Sequence, residues 1–64
     1  MNTPREKLVK IRKELKWTQE ELADKVGISR AYLANIENGK HTPSLKVASK
    51  LSSLLNMSMN DLFL

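Results

Sequence analysis

Residues 18–40 read TQEELADKVGISRAYLANIENGK, and this stretch decides the fold. Thr18 with Glu21 three positions on is the pattern of a capping box, in which hydroxyl and carboxylate each satisfy a backbone N–H that the first helical turn leaves without a partner. Trp17 before the cap and Leu22 after it can close a hydrophobic staple. Gly27 stands where a helix ends in the left-handed region that a β-carbon resists. The spacing predicts a helix over 19–26. Ser29 can cap another, with Ile28 and Leu33 as its staple pair and Asn38-Gly39 as its stop. Two short helices meeting at a tight turn around Gly27 therefore lie at the centre of the chain.

Working outward, Thr3, Pro4 and Glu6 supply an N-cap, a proline at the first helical position and a capping-box carboxylate. They predict a first helix from about Pro4 to Lys16, with Leu8, Ile11 and Leu15 as its apolar stripe. Downstream, Thr42, Pro43 and Ser44 open a fourth helix carrying Leu45, Ala48, Leu51 and Leu55 at helical spacing, and both Thr42 and Ser44 are available to cap it. Ser58 and Asp61 form a last box, with Met57 and Leu62 as staple, for a short turn ending in Leu62, Phe63 and Leu64. The β-branched runs that strands favour are absent. The expected fold class is all-α, a compact five-helix bundle, with residues 1–64 as one domain.

The composition narrows the function. Sixty-four residues with 11 Lys plus Arg against 7 Asp plus Glu carry a formal charge of +4, and 41% of positions are hydrophobic. A chain of this size buries only about 60% of its unfolded surface, which leaves no room for a deep substrate cavity. No triad or paired carboxylates offer general acid–base chemistry, so no catalytic residue and no enzyme is expected. There is no Cys, hence no disulfide and no thiolate, and His41 has no second ligand at metal spacing, so neither metal nor cofactor nor small-molecule ligand is expected. No apolar run approaches the roughly 20 residues of a membrane span, and the cytoplasm is the expected compartment. A pI of about 9.7 favours nucleic acid or an anionic membrane surface as partner. The first helix cannot serve a membrane, because the core needs its few apolar residues.

Two short helices around a glycine-containing turn, in a basic all-α domain, make a helix-turn-helix. At about 100° per residue, Leu33, Ile36 and the Ile28 lead-in fall on one side of the third helix. Arg30, Ala31, Ala34, Asn35 and Asn38 fall on the other. Small Ala31 and Ala34 keep that face slim enough for a major groove, while Arg30 and Asn35 have the bidentate geometry for guanine and adenine edges. The plain alternative is an ordinary solvated face. Tyr32 lies at the edge of the wheel, where its ring can pack into the core or its hydroxyl can reach a phosphate.

The run from Thr18 to Lys40 resembles the Cro and phage-repressor, or XRE-like, helix-turn-helix family, and residues 43–63 resemble the family's fourth and fifth helices. The resemblance implies a lambda-repressor-like fold and a sequence-specific regulator that binds double-stranded DNA as a homodimer on a two-fold operator, with the third helix as the recognition helix. It places Ser29, Arg30, Ala31 and Asn35 at base-facing positions, Ala31 toward a thymine methyl and Ser29 toward either base type, the alternative for Arg30 being a phosphate clamp that alters affinity more than specificity. It sets Thr18, Gln19, Tyr32, Asn38 and Lys40 against the DNA backbone, with His41 beside them. It further implies that Arg12 and Glu37 form a partly buried ion pair tying the first helix to the third. The wheel turns Glu37 inward, where a carboxylate needs such a partner.

Two positions depart from the family pattern: Ser52, where a small apolar residue is usual, and Leu54, where a polar one is. Leu54, Met57, Met59 and the Leu62-Phe63-Leu64 end make a candidate exposed patch for the dimer interface, the alternative being that they close the core. Lys7, Lys10, Lys13, Lys16, Lys46 and Lys50 read as a diffuse positive field that steers the protein toward DNA. The function expected is a transcriptional repressor. The alternative is a protein-interaction module on the same fold, an antitoxin or antirepressor, and Arg30 and Asn35 are where the two readings part.

Overall fold

The computed structural model describes residues 4–63, with α1 (Glu6–Glu14), α2 (Gln19–Val26), α3 (Arg30–Glu37), α4 (Leu45–Leu55) and α5 (Met59–Phe63) and no strand among them. α2 packs on α3 and α4, α1 on α3 and α5, and α4 on α5. Leu8, Leu22, Leu33, Ile36 and Leu51 meet fully buried at the centre, joined by Ala23, Val26, Leu55 and Leu62, so every helix contributes to one core. No helix among the described residues is long and apolar enough to cross a membrane.

The short-range signals at the central helices are realised in the structure. Thr18 and Glu21 form a reciprocal capping box: the Glu21 N–H donates to Thr18 Oγ1 at 3.0 Å and the Thr18 N–H donates to Glu21 Oε1 at 2.9 Å. First the backbone N–H of Thr18 and then its side chain hold the Glu21 carboxyl below the ordinary glutamate range. Gly27 ends α2 at φ +86°, with open space where a β-carbon would stand, so backbone conformation rather than packing calls for glycine there. Ser29 caps α3 by accepting from the Tyr32 N–H at 3.0 Å. Ser44, not Thr42, caps α4, accepting from the Val47 N–H at 3.2 Å.

α1 differs from expectation at both ends. It starts at Glu6 rather than Pro4; the expected Thr3 cap lies outside the described residues, as does Leu64. The Arg5 N–H donates to the Glu37 carbonyl at 2.8 Å, so the chain ahead of α1 is drawn across α3 instead of being wound into the helix. α1 stops at Glu14 rather than Lys16, in a Schellman motif: Lys16 takes φ +61°, its N–H donates to the Lys13 carbonyl at 2.9 Å, and the Trp17 N–H donates to the Arg12 carbonyl at 3.2 Å. Leu15, at this cap, is 40% exposed, and Trp17 packs against the core beyond it.

α4 corrects a core assignment. Leu45 is 75% exposed and Val47 packs on the core instead. On a wheel of about 100° per residue, Leu45 lies roughly 100° from the direction shared by Val47, Ala48, Leu51 and Leu55. Asn56 ends α4 in the left-handed region at φ +54°, and the Ser52 hydroxyl donates to the Met57 carbonyl beyond that cap. This explains a polar residue where the family pattern has an apolar one. The candidate C-terminal patch divides: Leu62 is in the core, Met57 and Phe63 pack against it, and Leu54 and Met59 are each 37% exposed.

Lys16 generates a stability prediction. The left-handed region costs a residue with a β-carbon roughly 1–2 kcal/mol, of which glycine's greater freedom in the unfolded chain cancels roughly 0.4–1 kcal/mol. Lys16→Gly should therefore stabilise the fold by about 0.5–1 kcal/mol in urea unfolding. An unchanged or lower midpoint would contradict the strain assigned to Lys16.

Candidate nucleic-acid interface

The Gly27–Ser29 turn joins the C-terminal end of α2 to the Ser29-capped N-terminus of α3, and the other cap, at Thr18, opens α2. Of the positions singled out for bases, Ser29, Arg30 and Ala31 are exposed and Asn35 is half-buried. The Ser29 oxygen accepts from the Tyr32 N–H, which occupies acceptor capacity and leaves the hydroxyl hydrogen to donate. Of the positions singled out for the DNA backbone, Thr18, Asn38 and Lys40 are exposed, while Gln19 and Tyr32 are half-buried. The Tyr32 ring packs against the core and stands edge-on to His41, centroids 6.3 Å apart. His41 is exposed, and no group of potential metal ligands occurs among the described residues.

Behind this surface runs a chain of polar contacts. Glu37 is 2% exposed and Arg12 8%. The Arg12 Nε donates to Glu37 Oε2 at 2.6 Å and its Nη2 to Oε1 at 3.2 Å, a two-point fork, while Nη1 donates to the Trp17 carbonyl at 2.8 Å. Gln19 Nε2 donates to Glu37 Oε1 at 3.0 Å, and Gln19 Oε1 in turn accepts from Arg30 Nη1 at 3.2 Å. The Glu37 carboxylate thus fixes which end of the Gln19 amide faces inward, and the amide oxygen holds Arg30 at the surface. Buried ionic groups persist only when their hydrogen-bonding capacity is met. Among the described residues no buried side-chain nitrogen or oxygen lacks a partner.

The end of α3 carries a residue that sequence reasoning missed. The last four carbonyls of a helix have no partner within it. In α3, Ala34 accepts from the Asn38 N–H, Asn35 from the Lys40 and His41 N–H groups, and Ile36 from the Gly39 N–H, with Gly39 at φ +79°. Glu37 accepts from the Arg5 N–H, and Arg5 Nη1 donates at 2.6 Å to Ile36 and at 3.0 Å to the His41 carbonyl. The Arg5 guanidinium also lies over the Phe63 ring, 5.4 Å from its centroid. The available signal was indirect: the last turn of α3 has no basic residue of its own, although cations are favoured at that end of a helix dipole.

A basic bundle in which one capped helix holds a second, with arginine and small residues on its outer face, belongs to the class of DNA-binding helix-turn-helix proteins. The chain is a member of the XRE-type Helix-turn-helix family, which matches residues 8–62, and it is a DNA-binding transcriptional regulator. It is 38% identical over 60 residues to an HTH-type transcriptional regulator of Archaeoglobus fulgidus, covering 94% of this chain and 84% of that protein. It is 45% identical over 49 residues to the ImmF control region 10 kDa protein of Bacillus phage phi105, covering 77% of this chain and 54%, about half, of the phage protein. Among solved structures, the restriction-modification controller protein C.AhdI from Aeromonas hydrophila superposes with a TM-score of 0.76 at 32% identity, covering 88% of this chain and 85% of that one.

Removing one member of the buried pair leaves the other charge stranded. Glu37→Ala should cost about 3–5 kcal/mol, enough to leave a domain of this size largely unfolded by circular dichroism at 25 °C. Replacing both, Arg12→Met with Glu37→Leu, should cost far less than the sum of the single changes. A Glu37→Ala protein as stable as the parent would show that the pair is not a structural requirement.

Proposed function

We propose that this regulator is a repressor that binds a two-fold operator as a dimer, with α3 in the major groove. The observation that carries this reading is the outer face of α3: Arg30 is exposed and held by Gln19, beside exposed Ser29 and Ala31. Arg30 takes a guanine edge, Asn35 an adenine, Ala31 a thymine methyl, and the Ser29 hydroxyl donates to a base acceptor. Thr18, Tyr32, Asn38 and Lys40 set the register on the phosphates, and Gln19, whose side-chain nitrogen is turned inward to Glu37, joins them through its backbone amide at the start of α2. Repression requires only that the protein occupy the site. Names among the relatives that refer to a phage control region and a restriction-modification controller agree with such a role.

Dimerisation follows from the geometry of two-fold operators, in which each helix-turn-helix reads one half-site. The exposed Leu54 and Met59, at the end of α4 and in α5, supply the apolar surface for an isologous contact.

Selection of bound duplexes from a random pool tests the proposal. Recovery of an inverted repeat supports it. A single unrepeated half-site would overturn the dimer, and enrichment of nothing would favour a protein-interaction module. On the recovered site, Arg30→Ala should cost about 1–3 kcal/mol and relax preference at one base pair. Lys40→Ala should instead weaken all sequences evenly and lower the slope of log affinity against log salt by about 0.9.

A further inference from the structure

We propose that Arg5 is a positioning residue for DNA contact: it caps α3 from outside that helix and couples α5 to the turn that follows α3. The proposal rests on the operator reading only for its consequence at DNA; its structural half stands on the contacts alone. Three elements converge on this one side chain. Its Nη1 bridges the carbonyls of Ile36, in the last turn of α3, and of His41, in the segment leading to α4. Its backbone N–H takes the Glu37 carbonyl. Its guanidinium face lies over Phe63 of α5.

The bridge acts on a short stretch of backbone. Residues 38–41 leave α3 through the left-handed Gly39, and the Lys40 and His41 N–H groups return to the Asn35 carbonyl at 2.9 and 3.3 Å. Those two amide bonds fix the inner side of the turn, and Arg5 at the His41 carbonyl fixes its far end. Asn38 and Lys40, both exposed on this stretch, are the residues assigned to phosphate. Their placement therefore depends on a guanidinium supplied from ahead of α1. A planar guanidinium suits this task, because it can donate in its plane to carbonyls while its face stacks on an aromatic ring. Phe63 sets the depth of that plane, and Phe63 lies in the helix that carries Met59.

The test compares the full-length protein with Arg5→Ala and with the milder Phe63→Leu, which keeps an apolar side chain in α5. Amide hydrogen exchange is read at Lys40 and His41, with the amide of the fully buried Leu22, bonded to the Thr18 carbonyl at 3.0 Å, as the control for global opening. Both variants should speed exchange at Lys40 and His41 by at least about fivefold relative to Leu22. Both should also weaken the selected duplex by at least about fivefold, with a salt slope lower by about 0.9 for each phosphate that is no longer neutralised. Equal acceleration at all three amides, or none at Lys40 and His41, would overturn the proposal as a merely structural role. Local acceleration with unchanged duplex affinity would overturn its bearing on DNA. If the parent protein enriches no duplex, the operator reading fails by itself, and the exchange comparison still decides whether Arg5 holds the turn.

Discussion

The Glu37 carboxylate, shut away from water inside a 64-residue bundle, constrains everything around it. Such a group is tolerated only where its lone pairs are met by donors. Here the donors come from two directions: the Arg12 fork from α1 and the Gln19 amide from α2. Three helices are thereby brought to one point with defined angles. A core of leucines alone would not impose this, since apolar packing is non-directional. The net stability of a buried ion pair is modest once desolvation is counted. Its larger effect is geometric: Gln19 can present its oxygen outward to Arg30 only because its nitrogen is engaged inward.

The parts of this fold that were legible in the sequence are those decided within a few residues. The Thr18–Glu21 box, the Ser29 cap, and the Gly27 and Gly39 stops each depend on contacts three to six positions apart. A linear reading therefore recovers α2 and α3 without knowledge of the rest. Where it strayed, a partner distant in sequence decided the outcome. Pro4 suggested a helix start, but the Arg5 N–H finds its acceptor 32 residues away at Glu37. Lys16 has no glycine-like marking; it is left-handed because Trp17 closes the Schellman motif and packs on the core. Leu45 has the right spacing from Ala48 and the wrong phase with the helix as a whole.

The candidate site shows the same division. The outward face of α3 follows from periodicity, and its chemistry from the residue types on that face. The inward turn of Glu37 was also visible on the wheel, although periodicity alone left Arg12 as its partner to the family resemblance. Arg5 had no local mark. It precedes α1 and acts on the far end of α3, so its role appears only when the carbonyls of that helix are matched one by one with donors. Ser52 is the converse case, a residue that departs from the family pattern and proves to serve a local bond, donating to the Met57 carbonyl past the end of α4.

α3 is thus fastened at both ends by groups outside it. Near its start Arg30 is tied to Gln19; at its finish Arg5 takes two acceptors across the last turn and the segment beyond. For an eight-residue helix this matters, because helices shorter than about 12–15 residues are marginal by themselves in water. On the proposed reading of α3 as the recognition helix, its order before binding also matters, since each side chain ordered only on binding reduces the affinity that its contacts supply. The Arg30–Gln19 contact, at 3.2 Å and exposed, is one that the proposed base contact of Arg30 could replace. The Glu37–Gln19 contact behind it is part-buried. Preorganisation in this domain therefore runs from the inside outward, from a charge pair fixed by burial to an arginine that is positioned and can still be given up.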